Sequence, residues 1–196
     1  VQSIIKKIAP HDSIERYTNL GVNCFSGFAK ILSPNQVDIN GKILTTKNII
    51  IATGAKPTIP AIRGLDKVEF LTTDNLWNIR ELPKRFCILG GGPIGVELSQ
   101  CFSRLGSKVS LIEMMPDILT REDDEASYAL RKSIEFEGVD VHVKTVCKEI
   151  VIKNGKHFIV CEKNEQKQEI EFDKILVAVG RTANTKGFGL ENIGTK

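Results

Sequence analysis

The sequence predicts an α/β chain: a domain built on a parallel sheet, carrying an antiparallel β excursion, and preceded by a β-rich segment. Three observations carry this. Residues 85–143 alternate apolar strand runs with helical periodicity in the order β-α-β-α-β. Residues 146–172 break into short runs separated by turn residues. Residues 22–52 read as short strands around a tight hairpin.

In chain order, Asp12-Ser13 is placed to cap a short helix through Ile14 and Tyr17. A strand run is expected over 23–31, and another over Gln36-Val37-Asp38-Ile39, closed by the hairpin dipeptide Asn40-Gly41 and returned by 42–45. Asn48-Ile49-Ile50-Ile51-Ala52 is continuously apolar after its first residue, as in a strand buried on both faces. Pro57, Pro60 and Gly64 make an irregular connector, and Thr73-Asp74 opens a short helix holding Leu76, Trp77 and Ile79. Pro83 marks the boundary beyond which the pattern becomes regular; the chain is divided into 1–74 and 75–196, the latter with its core at 83–185.

Beyond Pro83, Arg85-Phe86-Cys87-Ile88-Leu89 is a buried strand and Gly90-Gly91-Gly92 a tight turn. The helix from Pro93 to Leu105 is expected to bury Ile94, Leu98, Cys101, Phe102 and Leu105, with Gly106 stopping it. A strand over 108–113, a helix over 123–137 ended by Gly138, and a strand over 139–143 follow. The excursion turns at Asn154-Gly155 and at 164–168, and 174–179 is a last buried strand ended by Gly180.

Composition excludes several classes. Net charge is +3 from 27 basic and 24 acidic residues, interleaved along the chain, so no nucleic-acid partner is expected. No run approaches the roughly 20 apolar residues of a membrane span, and the start Val1-Gln2-Ser3-Ile4-Ile5-Lys6-Lys7 is no secretory signal. A cytoplasmic location is expected. Cys24, Cys87, Cys101, Cys147 and Cys161 form no C-x-x-C or C-x-x-x-x-C pair and read as small buried hydrophobes. His11, His142 and His157 share no metal-ligand spacing, so no metal site is expected.

One motif carries chemistry. Gly90-x-Gly92-x-x-Gly95 follows a strand and opens a helix, and Glu113 closes the next strand 18 residues beyond Gly95. That context is a Rossmann-type dinucleotide fingerprint. Gly90 permits the turn, Gly92 lets a pyrophosphate approach the backbone, and Gly95 lets helix and sheet pack closely. The helix N-terminus offers free N–H groups to phosphate, and Pro93 sacrifices no intrahelical bond there. Gly91 and Ile94 complete the cofactor-binding set of this loop. A carboxylate at Glu113 suits two ribose hydroxyls and repels a 2′-phosphate, by about 4 kcal/mol at 4 Å and an effective dielectric near 20. Met114, Met115 and Pro116 follow it, and the next base along the chain is Arg121. NAD(H) is therefore favoured over NADP(H), although the same fingerprint also holds FAD.

The stretches Ile49–Pro57, Leu89–Glu97, Val109–Glu113, Leu119–Asp123 and Ile175–Asn184 together resemble the pyridine nucleotide–disulfide oxidoreductases, the group of dihydrolipoamide dehydrogenase, glutathione reductase and mercuric reductase. The variant at Pro93 and the segment Ile8–Ser13 look nearest to mercuric-reductase-like members. The resemblance implies an FAD-dependent enzyme passing hydride from NADH to flavin and on to a disulfide or metal ion. It implies that 1–74 ends the first part of a split FAD domain, where Thr53 and Gly54 would lie, and that Gly180 begins the return to it. Glu97 matches a family acid beside the nicotinamide, and Pro93 stands where many members carry a Tyr over the flavin. Ala183 replaces a usual Pro. An N-terminal FAD fingerprint, a redox Cys pair and a dimerisation domain are not found, so the chain reads as an internal slice of a longer homodimeric enzyme, and the slice alone as inactive. Left open are an NADPH-linked reductase of the same family and a nucleotide-binding module without redox chemistry.

Overall fold

The computed structural model describes residues 2–195. The chain divides into two units. One takes in the chain up to Ala55 and again from Ala183, and the other runs from Lys56 to Thr182.

In the first unit, α1 (Gln2–Ile8) and α2 (Ile14–Asn19) precede a meander of β1 (Ala29–Ser33), β2 (Gln36–Ile39) and β3 (Lys42–Thr45). Ser13 caps α2 through its side chain, which accepts the Arg16 N–H. Asn40 and Gly41 both take positive φ, 53° and 86°, as the two-residue turn between β2 and β3 requires. Ile31 is the buried anchor of this unit; its N–H donates to the Phe188 carbonyl at 2.8 Å. The two crossings between units fall in β4 (Ala55–Pro57) and β13 (Arg181–Ala183), which pair with each other.

The second unit is a three-layer sandwich. Its centre is a five-stranded parallel sheet in the order β5-β12-β6-β7-β8, formed by β5 (Phe70–Leu71), β6 (Arg85–Leu89), β7 (Lys108–Ile112), β8 (Asp140–His142) and β12 (Lys174–Val177). Because side chains alternate along a strand, β6 sends Phe86 and Ile88 to one face and Cys87 and Leu89 to the other. The first face packs against α3 (Pro93–Arg104) and α4 (Asp124–Phe136) through Val96, Leu98 and Ile134. The second is covered by the antiparallel meander β9 (Val146–Lys153), β10 (Lys156–Lys163) and β11 (Gln166–Phe172), through Ile150, Ile159, Cys161 and Phe172. Each fully buried aliphatic side chain contributes about 1.5–3 kcal/mol. The strand order reverses between β6 and β12, the switch point at which open α/β sheets bind ligands. This arrangement is the α/β fold that the sequence predicts.

Several elements differ from the sequence expectation. Residues 48–52 form no strand, and Ile50 is 91% exposed. A strand apolar on both faces needs neighbours on both, and no described strand pairs with this run. The expected strand over 23–31 is reduced to its end, as part of β1. Helix α3 turns Gly95, Val96, Leu98 and Ser99 inward, while Cys101 and Leu105 are exposed. The small pair Gly95 and Ser99 sets this rotation, because it lets the helix approach the sheet. Cys24 is also exposed, so only Cys87, Cys147 and Cys161 behave as core residues.

Candidate nucleotide-binding site

The site is assembled at the carboxyl ends of β6, β7 and β12. Gly90 continues β6, its N–H donating to the Ile112 carbonyl at 2.9 Å. With φ at +105° and the Ala178 carbonyl oxygen 2.4 Å from where a Cβ would stand, Gly90 tolerates no side chain. Gly95 is equally constrained, since a Cβ there would sit 1.8 Å from the Gly90 oxygen. These two glycines are demanded by the fold.

Gly92 is not. It is the N-cap of α3 with φ −74° and ψ 179°, a conformation open to any residue, and nothing lies within 4 Å of a Cβ built on it. Its carbonyl accepts the Val96 N–H at 3.0 Å, but it offers no side-chain acceptor to the N–H groups of Ile94 and Gly95. Pro93 is exposed and Ile94 half-buried beside it.

Glu113 follows β7, and its carboxylate binds backbone on both sides. Oε2 accepts the Gly91 N–H at 2.6 Å and Oε1 accepts the Met115 N–H at 2.7 Å. The loop beyond closes back on the glycines, with Leu119, at φ 48°, donating its N–H to the Gly91 carbonyl at 2.8 Å. The acid thus joins the phosphate-type loop to the segment after the second strand.

Past Glu113 lies a cavity of about 550 Å³, lined in part by Met115, Pro116, Asp117, Asp124, Tyr128 and Lys144. Lys144 reaches this place because its N–H bonds the Met115 carbonyl at 2.9 Å, while Thr145 bonds the Glu113 carbonyl at 2.9 Å. The reading along the chain, which found Arg121 as the next base after the strand, missed Lys144. It stands 31 residues beyond Glu113 in sequence, and only the parallel pairing of β7 with β8 brings it near.

The structure gathers Gly90, Gly91, Gly92, Pro93, Ile94, Gly95 and Glu113 at one edge, with Ala178 beside Gly90 and Gly180 two residues further along the same strand exit. Glu97 lies on α3, exposed and without a hydrogen-bond or ion-pair partner among the described residues. Thr53 and Gly54 belong to the first unit. There the Thr53 hydroxyl donates to the Asn184 carbonyl at 2.8 Å, and the Asn184 N–H donates to the Gly54 carbonyl at 3.0 Å. Of the histidines, His142 Nε2 lies 2.9 Å from Asp140 Oδ2 and His157 stacks on Phe172. Among the described residues no cluster of His, Cys, Asp or Glu is arranged for a metal, and no helix is long and apolar enough to cross a membrane.

Residues 3–196 match the family described as pyridine nucleotide-disulphide oxidoreductase. The chain belongs to that family. Its relatives include dihydrolipoyl dehydrogenase of Acholeplasma laidlawii, 39% identical over 178 residues, covering 89% of this chain and 51% of that protein. Mercuric reductase of Staphylococcus aureus is 36% identical over 186 residues, covering 94% of this chain and 33% of the relative. Among solved structures, an HOCl-induced flavoprotein disulfide reductase from Escherichia coli superposes with a TM-score of 0.79 at 26% identity, covering 96% of this chain and 44% of that one. This member of the pyridine nucleotide-disulphide oxidoreductases therefore spans about half, or less, of the length of these relatives.

Proposed function

We propose that this chain supplies the NAD(H) site of an FAD-dependent oxidoreductase that passes hydride from NADH to flavin and then to a disulfide or a metal ion. The observation that carries the dinucleotide reading is Gly92. Gly90 and Gly95 are explained by packing within the protein, but nothing in the fold requires a glycine at 92. A phosphate touching the backbone there does require one. In this reading the pyrophosphate rests on the N–H groups of Gly92, Ile94 and Gly95, aided by the positive end of α3. Glu113, fixed by Gly91 and Met115, keeps lone pairs for the adenosine ribose hydroxyls.

The functional division is proposed as 1–74, ending the first FAD segment, and 75–196, the NAD(H) domain and start of the return. Thr53, Gly54 and Gly180 are assigned to the flavin side. Gly54 and Gly180 have positive φ and open space where a Cβ would stand, which leaves room for a ligand against the backbone. Bound FAD would accept hydride and hand on two electrons. Glu97 is assigned to orient the nicotinamide. The whole enzyme is proposed to act in the cytoplasm as a homodimer through residues other than these, and this chain alone to bind dinucleotide without turnover.

The test is titration with NADH and NADPH. Tighter NADH binding supports the reading, and no binding of either sinks it. One observation favours the NADPH-linked alternative: Lys144 offers a cation on the cavity beyond Glu113. Asp124 lines the same cavity and opposes a 2′-phosphate, while Asp117 there is already paired with Arg131, so NADH remains the preferred ligand.

A further inference from the structure

Three cysteines meet in the layer between the parallel sheet and the meander. Cys87 on β6 and Cys161 on β10 are buried in one apolar cluster, and half-buried Cys147 on β9 packs against it. Cys147 and Cys161 are cross-strand partners in the β9–β10 ladder. That pairing depends on a bulge. Val160 faces Glu149, and an unbroken register would set Lys148 opposite Cys161; the extra residue in β9 sets Cys147 there instead.

We propose that Cys147 and Cys161 are an oxidative modification site, closing a disulfide between β9 and β10 under hydrogen peroxide. Opposed residues of an antiparallel pair have Cα atoms about 4.5–5.5 Å apart, inside the roughly 4.4–6.8 Å span of disulfides. Strand pairing thus sets the two residues opposite each other at a separation of the disulfide kind, and both side chains already face the same core. Among the described residues no third ligand completes a metal site, which leaves the pair to thiol chemistry.

Exposure and hydrogen bonding divide the roles. Cys147 is half-buried, the more accessible residue of the two, and Cys161 is buried. A thiol hydrogen bond between them, reinforced by burial, holds Cys147 above the usual thiol range; the same hydrogen bond, against the opposing effect of burial, holds Cys161 below it. Peroxide meets Cys147 slowly, transferring oxygen to give the sulfenic acid and one water. Cys161 then attacks that sulfur as it gives up its thiol proton; the S–S bond forms, the S–O bond breaks, and the departing hydroxide takes up that proton as a second water. In sum two thiols lose two electrons to one peroxide.

The experiment is a tryptic map, without reduction, of the full-length protein after peroxide treatment and alkylation. Expected is a linked pair of peptides, 145–148 with 157–163, lighter by two hydrogens than their sum and separated by dithiothreitol. Cys87→Ala should leave the link intact. Cys161→Ala should abolish it and leave Cys147 as a sulfenic acid that dimedone labels. A link through Cys87, both thiols still alkylated after exposed cysteines have oxidised, or Cys147 carried to sulfinic acid with Cys161 free would each overturn the proposal. The wild-type map decides the matter even if a variant fails to fold.

Discussion

The Glu113 carboxylate accepts the Gly91 N–H at 2.6 Å, so the acid after the second strand also holds the glycine loop after the first. In the proposed function the acid assigned to the ribose thereby also shapes the place assigned to the pyrophosphate. Its contribution extends to every ligand that uses the loop, whatever the ribose carries.

Replacing Glu113 separates these two effects. Glu113→Gln keeps the size but has one acceptor oxygen, so either Gly91 or Met115 loses its partner. Hydrogen bonds to charged groups are worth about 1.5–3 kcal/mol; affinity for NADH should fall roughly tenfold or more, and for NADPH less, because repulsion of its 2′-phosphate is relieved as the loop loosens. Calorimetric titration of both nucleotides reads the change. An equal loss for both would assign Glu113 to the loop alone.

Lys144 supplies the opposing test. Its exposed ammonium lies on the cavity beyond Glu113, where a 2′-phosphate would be sought. Lys144→Ala should weaken NADPH several-fold and leave NADH within about twofold, as expected of an exposed charge pair worth 0.2–1 kcal/mol. A larger loss for NADH places Lys144 against the adenosine instead.

The glycine loop divides into positions required by the fold and one that is not. A Cβ at Gly92 meets no atom within 4 Å and no forbidden backbone, so Gly92→Val should move Tm by less than about 4 °C. NADH affinity should nonetheless collapse. Gly95→Ala drives a methyl into the Gly90 carbonyl and should lower Tm markedly. Comparable Tm losses in the two variants would remove the special standing of Gly92.

Acid should loosen the sheet at Arg85. Its guanidinium is hydrogen-bonded to Asp173 and ion-paired with Glu171, which Lys156 also holds. Asp173 is held below the usual carboxylate range first by the Arg85 hydrogen bond, and Glu171 first by that from Lys156. Carboxyls with lowered folded values contribute stability above their unfolded values, near 3.9 for Asp and 4.3 for Glu, and lose it as pH falls through the folded ones. Denaturant midpoints should drop below about pH 4, and Asp173→Asn should flatten that drop. An unchanged acid limb in the variant would show that Asp173 contributes none of it.

Local chemistry made much of this legible in the sequence. Asn40-Gly41 and Asn154-Gly155 occur as tight turns with positive φ at both residues, because few other dipeptides accept them. The strands of the second unit and the glycine loop follow from apolar runs and a fixed spacing. What was not legible depends on partners distant in sequence. The apolar run 48–52 signals burial without naming what buries it. The face of α3 was misjudged because side-chain size, not hydrophobicity, decides which residues approach a sheet most closely, so Gly95 and Ser99 go inward ahead of Leu105. Lys144 beside Met115, and Cys147 opposite Cys161, rest on strand pairing and on a one-residue bulge that composition does not disclose.

Glu97 tests the catalytic half of the proposal, and its surroundings sharpen the test. It is exposed on α3, in the turn after Gly92, with no partner among the described residues. A carboxylate near a helix N-terminus contributes about 0.3–1 kcal/mol through the dipole, and that is the whole of its role if it is only a surface acid. In that case Glu97→Gln lowers stability slightly and leaves kinetics alone. If Glu97 orients the nicotinamide, the same change slows hydride transfer while NADH affinity, set by the glycine loop and Glu113, stays near the wild-type value. Stopped-flow reduction of the flavin by NADH in the full-length protein separates the two. The expected result is a limiting rate lowered by roughly tenfold or more, about 1.4 kcal/mol of barrier, at an unchanged dissociation constant. A limiting rate equal to that of the wild type removes Glu97 from the site.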